Sequence, residues 1–506
     1  LTSAARAASP VALAQIAESL ANAGLLISQS NALPETIAGI SDDSRSVGTG
    51  DLFIAVRGHV QDGHHWLPQA ALRGASCAIV EDESATTLPA LVVRDGRRAA
   101  AIAAAAFFDW PAHALTLLGV TGTNGKTTTV DLIRHLLSRD HARAASIGTL
   151  GVLVGSEGAP FPGGSGLTTP GPVELQRILR ALVRDGITSV TMEVSSHSLE
   201  QRRVEGLSFA AGVFTNLTRD HLDYHGTMEG YFRAKSRLVG LLAKDGWAIV
   251  NADDPAWRAL PAANHALTFG LGVGADVGAR DIRYHTLGSE FLLVTNGGAA
   301  PVSLPLIGEF NIANALGAAA AALSVGVSLA NVAEGLSRAP QVPGRLEKLR
   351  VRPTVLRDYS HTPDSLERAI AAVRPFASAA DSESGNGAAR GRLIVVFGCG
   401  GDRDRGKRPL MGEIAERLGD YVILTSDNPR REEPERILDD IEAGMTRTNH
   451  TRIEDRRDAI AHSLRMAHAN DVVLLAGKGH ETYQIRGTSS LPFDEKQIVA
   501  ELSEAM

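Results

Sequence analysis

Cysteine is nearly missing from this sequence. Only Cys77 and Cys399 occur, far apart and without partners at metal-ligand spacing, which argues against a disulfide framework and fits a reducing compartment. Long apolar runs are missing too. Hydrophobic residues make up 44% of the chain and charged residues 21%, yet no uninterrupted stretch approaches the roughly 20 residues needed to cross a bilayer. No membrane span is therefore expected. There is no long basic block, and the net charge is −7, so the electrostatic footprint of a nucleic-acid binder is lacking while local anion sites stay open. The first dozen residues hold a single charge, Arg6. Their apolar stretch is too short and alanine-rich for a secretory signal, which makes a cytoplasmic location the expectation.

What is present is length and pattern. The 506 residues exceed the roughly 250–300 at which one core stops growing, so several domains are expected. Three stretches differ in pattern: 1–112, 113–345 and 346–506. The first holds the turn-rich run Ser41-Asp42-Asp43-Ser44-Arg45, a strand-like run at 51–56 and a helical alanine run ending near Phe107, with Pro111 at the exit. The second opens on an apolar run at 115–118, passes a glycine-rich turn and enters a helix with Val130, Ile133 and Leu137 on one face. In the third, strand candidates at 393–397, 421–425 and 472–476 alternate with helices, which predicts α/β domains with parallel sheets. Residues 378–391 are small and polar, and read as a surface loop without chemistry.

Residues 119–129, Gly-Val-Thr-Gly-Thr-Asn-Gly-Lys-Thr-Thr-Thr, fall where a buried strand meets a helix. Small residues let backbone N–H groups approach phosphate, the helix N-terminus adds a favourable dipole, Lys126 supplies a compact charge and the Thr127 hydroxyl suits Mg²⁺. The run departs from G-x-x-x-x-G-K-[ST] because Val120 stands at the first glycine, with glycines at 119, 122 and 125 instead. A ligand-free turn is the bland alternative.

Downstream, Glu193 is placed at the carboxyl edge of a predicted strand, facing the phosphate turn, where it can complete a hard-oxygen Mg²⁺ site with Thr127. Taken alone it is a solvated carboxylate. His221, in Asn-Leu-Thr-Arg-Asp-His, can ligate a second divalent ion or serve as a hydrogen-bonded structural histidine. Lys235, in the helical run Tyr-Phe-Arg-Ala-Lys, reads as a surface lysine.

Taken together, the glycine turn, Glu-Val-Ser-Ser-His at 193–197, Asn-Leu-Thr-Arg-Asp-His at 216–221 and the Lys235 helix resemble the central domain of the Mur ligases. The resemblance runs from Asp43-Ser44-Arg45 and Gly58-His59 to Glu481. It implies three α/β domains: a smaller N-terminal domain, a central P-loop-type ATPase sheet and a C-terminal Rossmann-like domain. It implies ATP held by Gly122, Thr123, Asn124, Gly125, Lys126, Thr127 and Thr128, with Asn311, Arg345, Asp358 and His361 contributing. It further implies Mg²⁺ on Thr127, Glu193, His221 and a carbamylated Lys235, with Lys126, Lys235 and His221 catalytic. By the same resemblance Asp43, Ser44 and His59 face UDP, and Thr168, Thr169, Ser195, Gln201 and Arg203 face the muramoyl dipeptide. Seen without the family, Asp-Ser-Arg is an ordinary turn.

Three loops follow the predicted strands of the last stretch: 398–409, Asp427-Asn428-Pro429-Arg430, and Gly477-Lys-Gly-His-Glu481. Ligands of α/β sheets gather at such carboxyl ends, so these loops should converge. Asp-Asn-Pro-Arg resembles the members that add meso-diaminopimelate, whose second carboxylate, absent from lysine, Arg430 can grip with its fork. Arg403, Asp427, Asn428, Pro429, Gly477 and Glu481 match the remaining contacts. Ser360 departs mildly from the alanine usual in Asp-Tyr-Ala-His-Thr-Pro, and residues 155–166 look longer and looser than typical.

The implied function is ATP-dependent amide formation between UDP-MurNAc-L-Ala-D-Glu and meso-diaminopimelate through an acyl phosphate, carried out by a monomer. Rival readings are a lysine-adding relative, a folylpolyglutamate synthetase, and a P-loop switch or UDP-sugar-binding regulator that forms no amide.

Overall fold

The computed structural model describes residues 5–58, 61–139, 143–164, 166–285, 288–378 and 391–504. The predicted 378–391 loop falls almost wholly outside them. Two compact units emerge. One holds the chain up to Gly278 with Thr295–Gly297 and Leu316–Val332, and the other holds Ala279–Val294, Gly298–Ala315 and the chain from Ala333 onward. Among the described residues, no helix is long and apolar enough to cross a membrane.

The first unit contains two sheets. In the N-terminal one, Thr36–Ser41, Asp51–Ile54, Cys77–Val80 and Ala90–Val93 run parallel, flanked by antiparallel Ala5–Ala12 and Leu26–Gln29. Every residue of Asp51–Ile54 is buried, as expected of a strand covered on both faces. Leu52 and Ile54 pack with Leu13, Ile16 and Leu20 on one face, while Phe53 packs with Leu67 and Val80 on the other. The alanine run becomes the helix Gly96–Phe107, started by Asp95, whose carboxylate accepts from the amides of Arg97 and Arg98.

The second sheet of this unit is the one that positions chemistry. Its parallel core follows the order Ala144–Gly148, Ser189–Glu193, Thr116–Thr121, Phe209–Phe214, Leu242–Asn251 and His265–Gly270. From Thr116–Thr121 the chain crosses to one side and later returns to the other, so the loop after this strand lies at a topological switch point, where such sheets open a crevice. Within the 155–166 stretch, a short strand stands among turns. Ala159–Phe161 forms an edge strand antiparallel to Gly151–Val154, and Arg134 donates to the carbonyls of Gly155 and Ser156.

In the second unit the sheet order is Glu347–Arg350, Thr354–Asp358, Val472–Ala476, Leu393–Phe397, Tyr421–Leu424 and His450–Arg452, all parallel except the first strand. The uniformly apolar Leu393–Phe397 is buried throughout. Leu393, Val395 and Phe397 serve one core, Ile394 and Val396 the other, as period-two alternation requires.

Behind this sheet Arg456 is fully buried and donates to Glu495 at 2.8 Å, to the carbonyl of Ala476 at 2.9 Å and to that of Ser426 at 3.4 Å. Removing one partner of such a pair leaves an uncompensated charge. Glu495→Ala is therefore expected to destabilise this unit by about 3–5 kcal/mol. A lowered first transition in urea unfolding checks this, and an unshifted one would refute it.

Candidate active site

Two glycines shape the turn after Thr116–Thr121. Gly125, at φ 84°, precedes the helix Lys126–Leu137. Gly122 has φ 148°, and a Cβ there would stand 1.8 Å from Thr215 Oγ1, so no side chain fits. Thr215 is itself engaged, donating to the Asn124 carbonyl at 2.7 Å, and Asn216 Oδ1 accepts from the Asn124 amide at 2.9 Å. Thr123 Oγ1 donates to the Thr218 carbonyl at 3.1 Å and accepts from the Thr218 amide. The turn is thus tied to the segment after Phe209–Phe214.

Lys126 Nζ donates to the carbonyls of Gly122 at 3.0 Å and Thr123 at 2.8 Å, folding back over the turn. The buried Thr127 hydroxyl donates to Glu193 Oε1 at 3.0 Å. Glu193, 1% exposed, lies at the carboxyl end of Ser189–Glu193, paired in register with Val120. Thr149 holds it from the far side, donating its amide to Oε1 at 2.8 Å and its hydroxyl to Oε2 at 3.2 Å. Glu193 is therefore an oriented carboxylate rather than a solvated one. Thr149 had no signal in the sequence, because its relation to Glu193 spans 44 residues.

Lys235 is not a surface lysine. It is 1% exposed, donates to the Gly122 carbonyl at 2.7 Å and lies 4.4 Å from the centre of the Tyr231 ring. Two lysines share one carbonyl oxygen, so their charges repel. Burial, reinforced by Lys126 and opposed by Asp220, holds the Lys235 amine well below the usual lysine range. Tyr231, absent from the sequence-based set, also touches Thr123 Oγ1 through its hydroxyl at 3.3 Å.

Beside this pair, the rings of His197, His221, His225, Tyr224 and Tyr231 stack edge to face or tilted, with neighbouring centroids 4.2–6.2 Å apart. Burial lowers His221, with Asp220 opposing and both lysines reinforcing, and brings His197 down to about 4. His221 is thus biased toward the neutral, ligand-competent form. Among the described residues, no group of three or more His, Cys, Asp and Glu is spaced to hold a metal. The predicted magnesium residues divide into a joined oxygen pair, Thr127 with Glu193, and a nitrogen pair, His221 and Lys235.

The predicted dipeptide residues are brought together. Thr169 Oγ1 donates to the Glu193 carbonyl at 2.8 Å and sits 3.3 Å from Ser195 Oγ. Arg203 donates to the Thr169 carbonyl at 3.0 Å and twice to Gln201 Oε1. Gln201 reaches the Tyr224 hydroxyl at 3.0 Å, and that hydroxyl donates to Glu200 at 2.5 Å. Thr168 Oγ1 lies 3.4 Å from Thr149 Oγ1. In the N-terminal turn, Asp43 pairs with Arg45 at 2.8 Å, and the Ser44 hydroxyl donates to Gln69 at 2.8 Å. His59 lies outside the described residues.

In the second unit, Asn311 is buried and donates to the Ile307 carbonyl, and Arg345 covers the Tyr359 ring with 4.7 Å between guanidinium and centroid. Burial raises the Asp358 carboxyl, which accepts from the Leu346 amide and from Ser360. The variant serine is thus spent on Asp358. The His361 ring is hydrogen-bonded to the Tyr359 carbonyl at 2.9 Å.

The three expected loops of this unit meet. A Cβ on Gly477 would lie 2.7 Å from Asp427 Oδ2, and one on Gly400 would lie 2.9 Å from Arg430 and 3.7 Å from Arg403 Cγ. Asn428 Nδ2 donates to Glu481 Oε2 at 2.8 Å. The Pro429 carbonyl abuts Gly401, and Arg430 donates to the Gly401 carbonyl at 2.8 Å. Arg430 adopts φ 54°, anchored by its amide to Ile485.

Comparison with known proteins adds an independent line. Residues 36–108 match the Mur ligase family catalytic domain, 120–322 the Mur ligase middle domain, and 344–479 the Mur ligase glutamate ligase domain. The chain is 43% identical over 478 residues to the UDP-N-acetylmuramoyl-L-alanyl-D-glutamate--2,6-diaminopimelate ligase of Geobacillus kaustophilus, covering 92% of this chain and 94% of that protein. It is 45% identical over 496 residues to the protein of that name from Gloeobacter violaceus, covering 96% and 97%. A solved structure of a ligase with this name is 35% identical with a TM-score of 0.64, covering 93% of this chain and 95% of the other. The folylpolyglutamate synthase of Mycobacterium tuberculosis, 17% identical with a TM-score of 0.57, covers 75% of this chain and 92% of its own, and shares the fold alone.

Proposed function

The chain belongs to the Mur ligase family, and on that premise we propose that it joins meso-2,6-diaminopimelate to UDP-MurNAc-L-Ala-D-Glu at the expense of ATP. Its parts fall into a UDP-substrate domain at 1–112, an ATP domain at 113–345 and an amino-acid domain at 346–506. A cytoplasmic location belongs to the same reading, since the reaction draws on ATP.

A carboxylate resists attack by an amine because its charge repels the nucleophile and its oxygen leaves poorly. The D-glutamyl γ-carboxylate therefore attacks the γ-phosphorus of ATP, forming an acyl phosphate and releasing ADP. Lys126 at the turn counters the charge on the transferring phosphoryl group. Arg203, oriented by Gln201 and the Thr169 carbonyl, holds a substrate carboxylate. The neutral amine of diaminopimelate then attacks the acyl carbon, its nitrogen gives up one proton to solvent, and phosphate leaves with the C–O bond electrons.

Thr127 and Glu193 fit a hard divalent cation, being two oxygen donors 3.0 Å apart in a buried corner. His221 and Lys235 fit a second only if Lys235 presents oxygen rather than nitrogen, as a carbamate does. The depressed basicity of Lys235 supports that modification, since only the neutral amine adds CO2. When bound, Mg²⁺ supplies charge neutralisation and orientation of phosphate oxygens.

The observation that carries the amino-acid assignment is the meeting of Arg430, Asn428, Asp427 and Glu481 at one sheet edge. It offers a fork for a carboxylate and carboxylates for an ammonium. Incubating the protein with ATP, Mg²⁺, UDP-MurNAc-L-Ala-D-Glu and equal lysine and diaminopimelate tests the proposal by product mass. The expected product is heavier than the lysine adduct by the mass of CO2, a carboxyl standing in place of a hydrogen, and a lysine product, or ATP consumption without amide, would overturn it. Arg430→Ala is expected to raise the KM for diaminopimelate by about 1.5–3 kcal/mol, on the order of 10- to 150-fold. An unchanged KM in steady-state assays would remove Arg430 from this role.

A further inference from the structure

Lys478 has no role in the reading above, although it sits inside the Gly-Lys-Gly-His-Glu loop. Its side chain is completely buried, with the ammonium 3.1 Å from Glu481 Oε2, 3.2 Å from Asn428 Oδ1 and 3.8 Å from Asp427 Oδ1. The rings of Tyr483 and Phe493 close around it, with centroids 5.8 and 5.9 Å from Nζ. An ammonium this deep is costly unless its charge is matched and its donors are used. Here all three polar neighbours are residues assigned to the incoming amino acid.

The contacts set how those neighbours present themselves. Asn428 Oδ1 accepts from both Lys478 and the Ile485 amide at 2.9 Å, so its acceptor capacity is filled. One Nδ2 hydrogen goes to Glu481, which leaves the other to donate to a ligand. Glu481 Oε2 takes both Lys478 and Asn428, which fixes the carboxylate plane. Asp427 turns Oδ1 toward Lys478, while Oδ2 lies against Gly477. Without the ammonium, two carboxylates would face each other across a small space and repel. With it, the trio of Asp427, Glu481 and Lys478 carries one net negative charge, matching one ammonium of a zwitterionic amino acid.

Resting on the amino-acid assignment above, we infer that Lys478 is a positioning residue for amino-acid recognition, the built-in counterion that sets the charge and orientation of Asp427, Asn428 and Glu481. Lys478→Met removes the charge at similar length. Its expected signature is a rise of at least about tenfold in KM for diaminopimelate, with KM for ATP and for the nucleotide-linked substrate unchanged and kcat less affected. Because Lys478 acts through Glu481, Lys478→Met and Glu481→Gln should be strongly non-additive in a double-mutant cycle on that KM. Additive effects, an unchanged KM for the amino acid, or a parallel rise in all three KM values would overturn the inference. If Lys478→Met does not fold, Lys478→Gln, which keeps donor hydrogens but not the charge, takes its place. Failure of both to fold would show that the ammonium serves the fold rather than the pocket. Should the wild-type enzyme join another amino acid, the diaminopimelate reading fails, and the same KM comparison with that amino acid still decides the role of Lys478.

Discussion

Lys126→Ala is expected to lower kcat/KM for ligation by at least on the order of 10³, measured by phosphate release with all three substrates present. The reason lies in how the side chain is held. Its ammonium is held by the carbonyls of Gly122 and Thr123, which keeps its charge at the turn where this reading seats the γ-phosphate. A charge held in place at the reacting group stabilises the transferring phosphoryl more than one that is free in water. The variant should remain folded, because Lys126 opens a helix whose buried residues Val130, Leu132 and Ile133 are untouched. A variant within tenfold of wild type would remove Lys126 from the chemistry and with it the phosphate-turn reading.

The second large effect concerns Lys235. Substitution by alanine is expected to cost on the order of 10² or more in kcat, and formate or acetate should recover part of the loss. A carbamate forms when the neutral amine donates its lone pair to the carbon of CO2 and releases a proton. Burial and the adjacent Lys126 charge lower the amine's proton affinity, which favours that form. The product is an anion where an ammonium stood, so the repulsion from Lys126 becomes attraction. A small carboxylate diffusing into the Lys235→Ala cavity would restore anionic oxygens there. Labelling with ¹³CO2 should give a carbamate carbon signal in the wild type that Lys235→Ala lacks. Full activity without added carboxylate, or no carbamate signal in an active wild-type enzyme, would defeat this account.

The legible parts of the molecule share a physical cause. Strand Thr116–Thr121, the turn and helix Lys126–Leu137 were readable because short-range sterics, small residues and a helix start are local properties. The fully apolar Leu393–Phe397 was readable because a strand covered on both faces has no polar side. Lys235 was misjudged from its local context of neighbouring cations, since its burial comes from Gly122, more than a hundred residues earlier, and from the Tyr231 ring. The strand Ala159–Phe161 is not legible in the sequence because it is held by pairing with Gly151–Val154 rather than by a strong propensity of its own.

By itself the sequence determined the α/β class, the strand–glycine turn–helix around Lys126 and the resemblance that names the family, because these depend on order and spacing along the chain. Tertiary structure alone decided which of those groups are oriented: Thr149 locking Glu193, two lysines meeting at one carbonyl, and Lys478 buried among Asp427, Asn428 and Glu481. Charge, burial and hydrogen-bond partners are properties of three-dimensional surroundings, and the contacts that set them join residues distant in the chain.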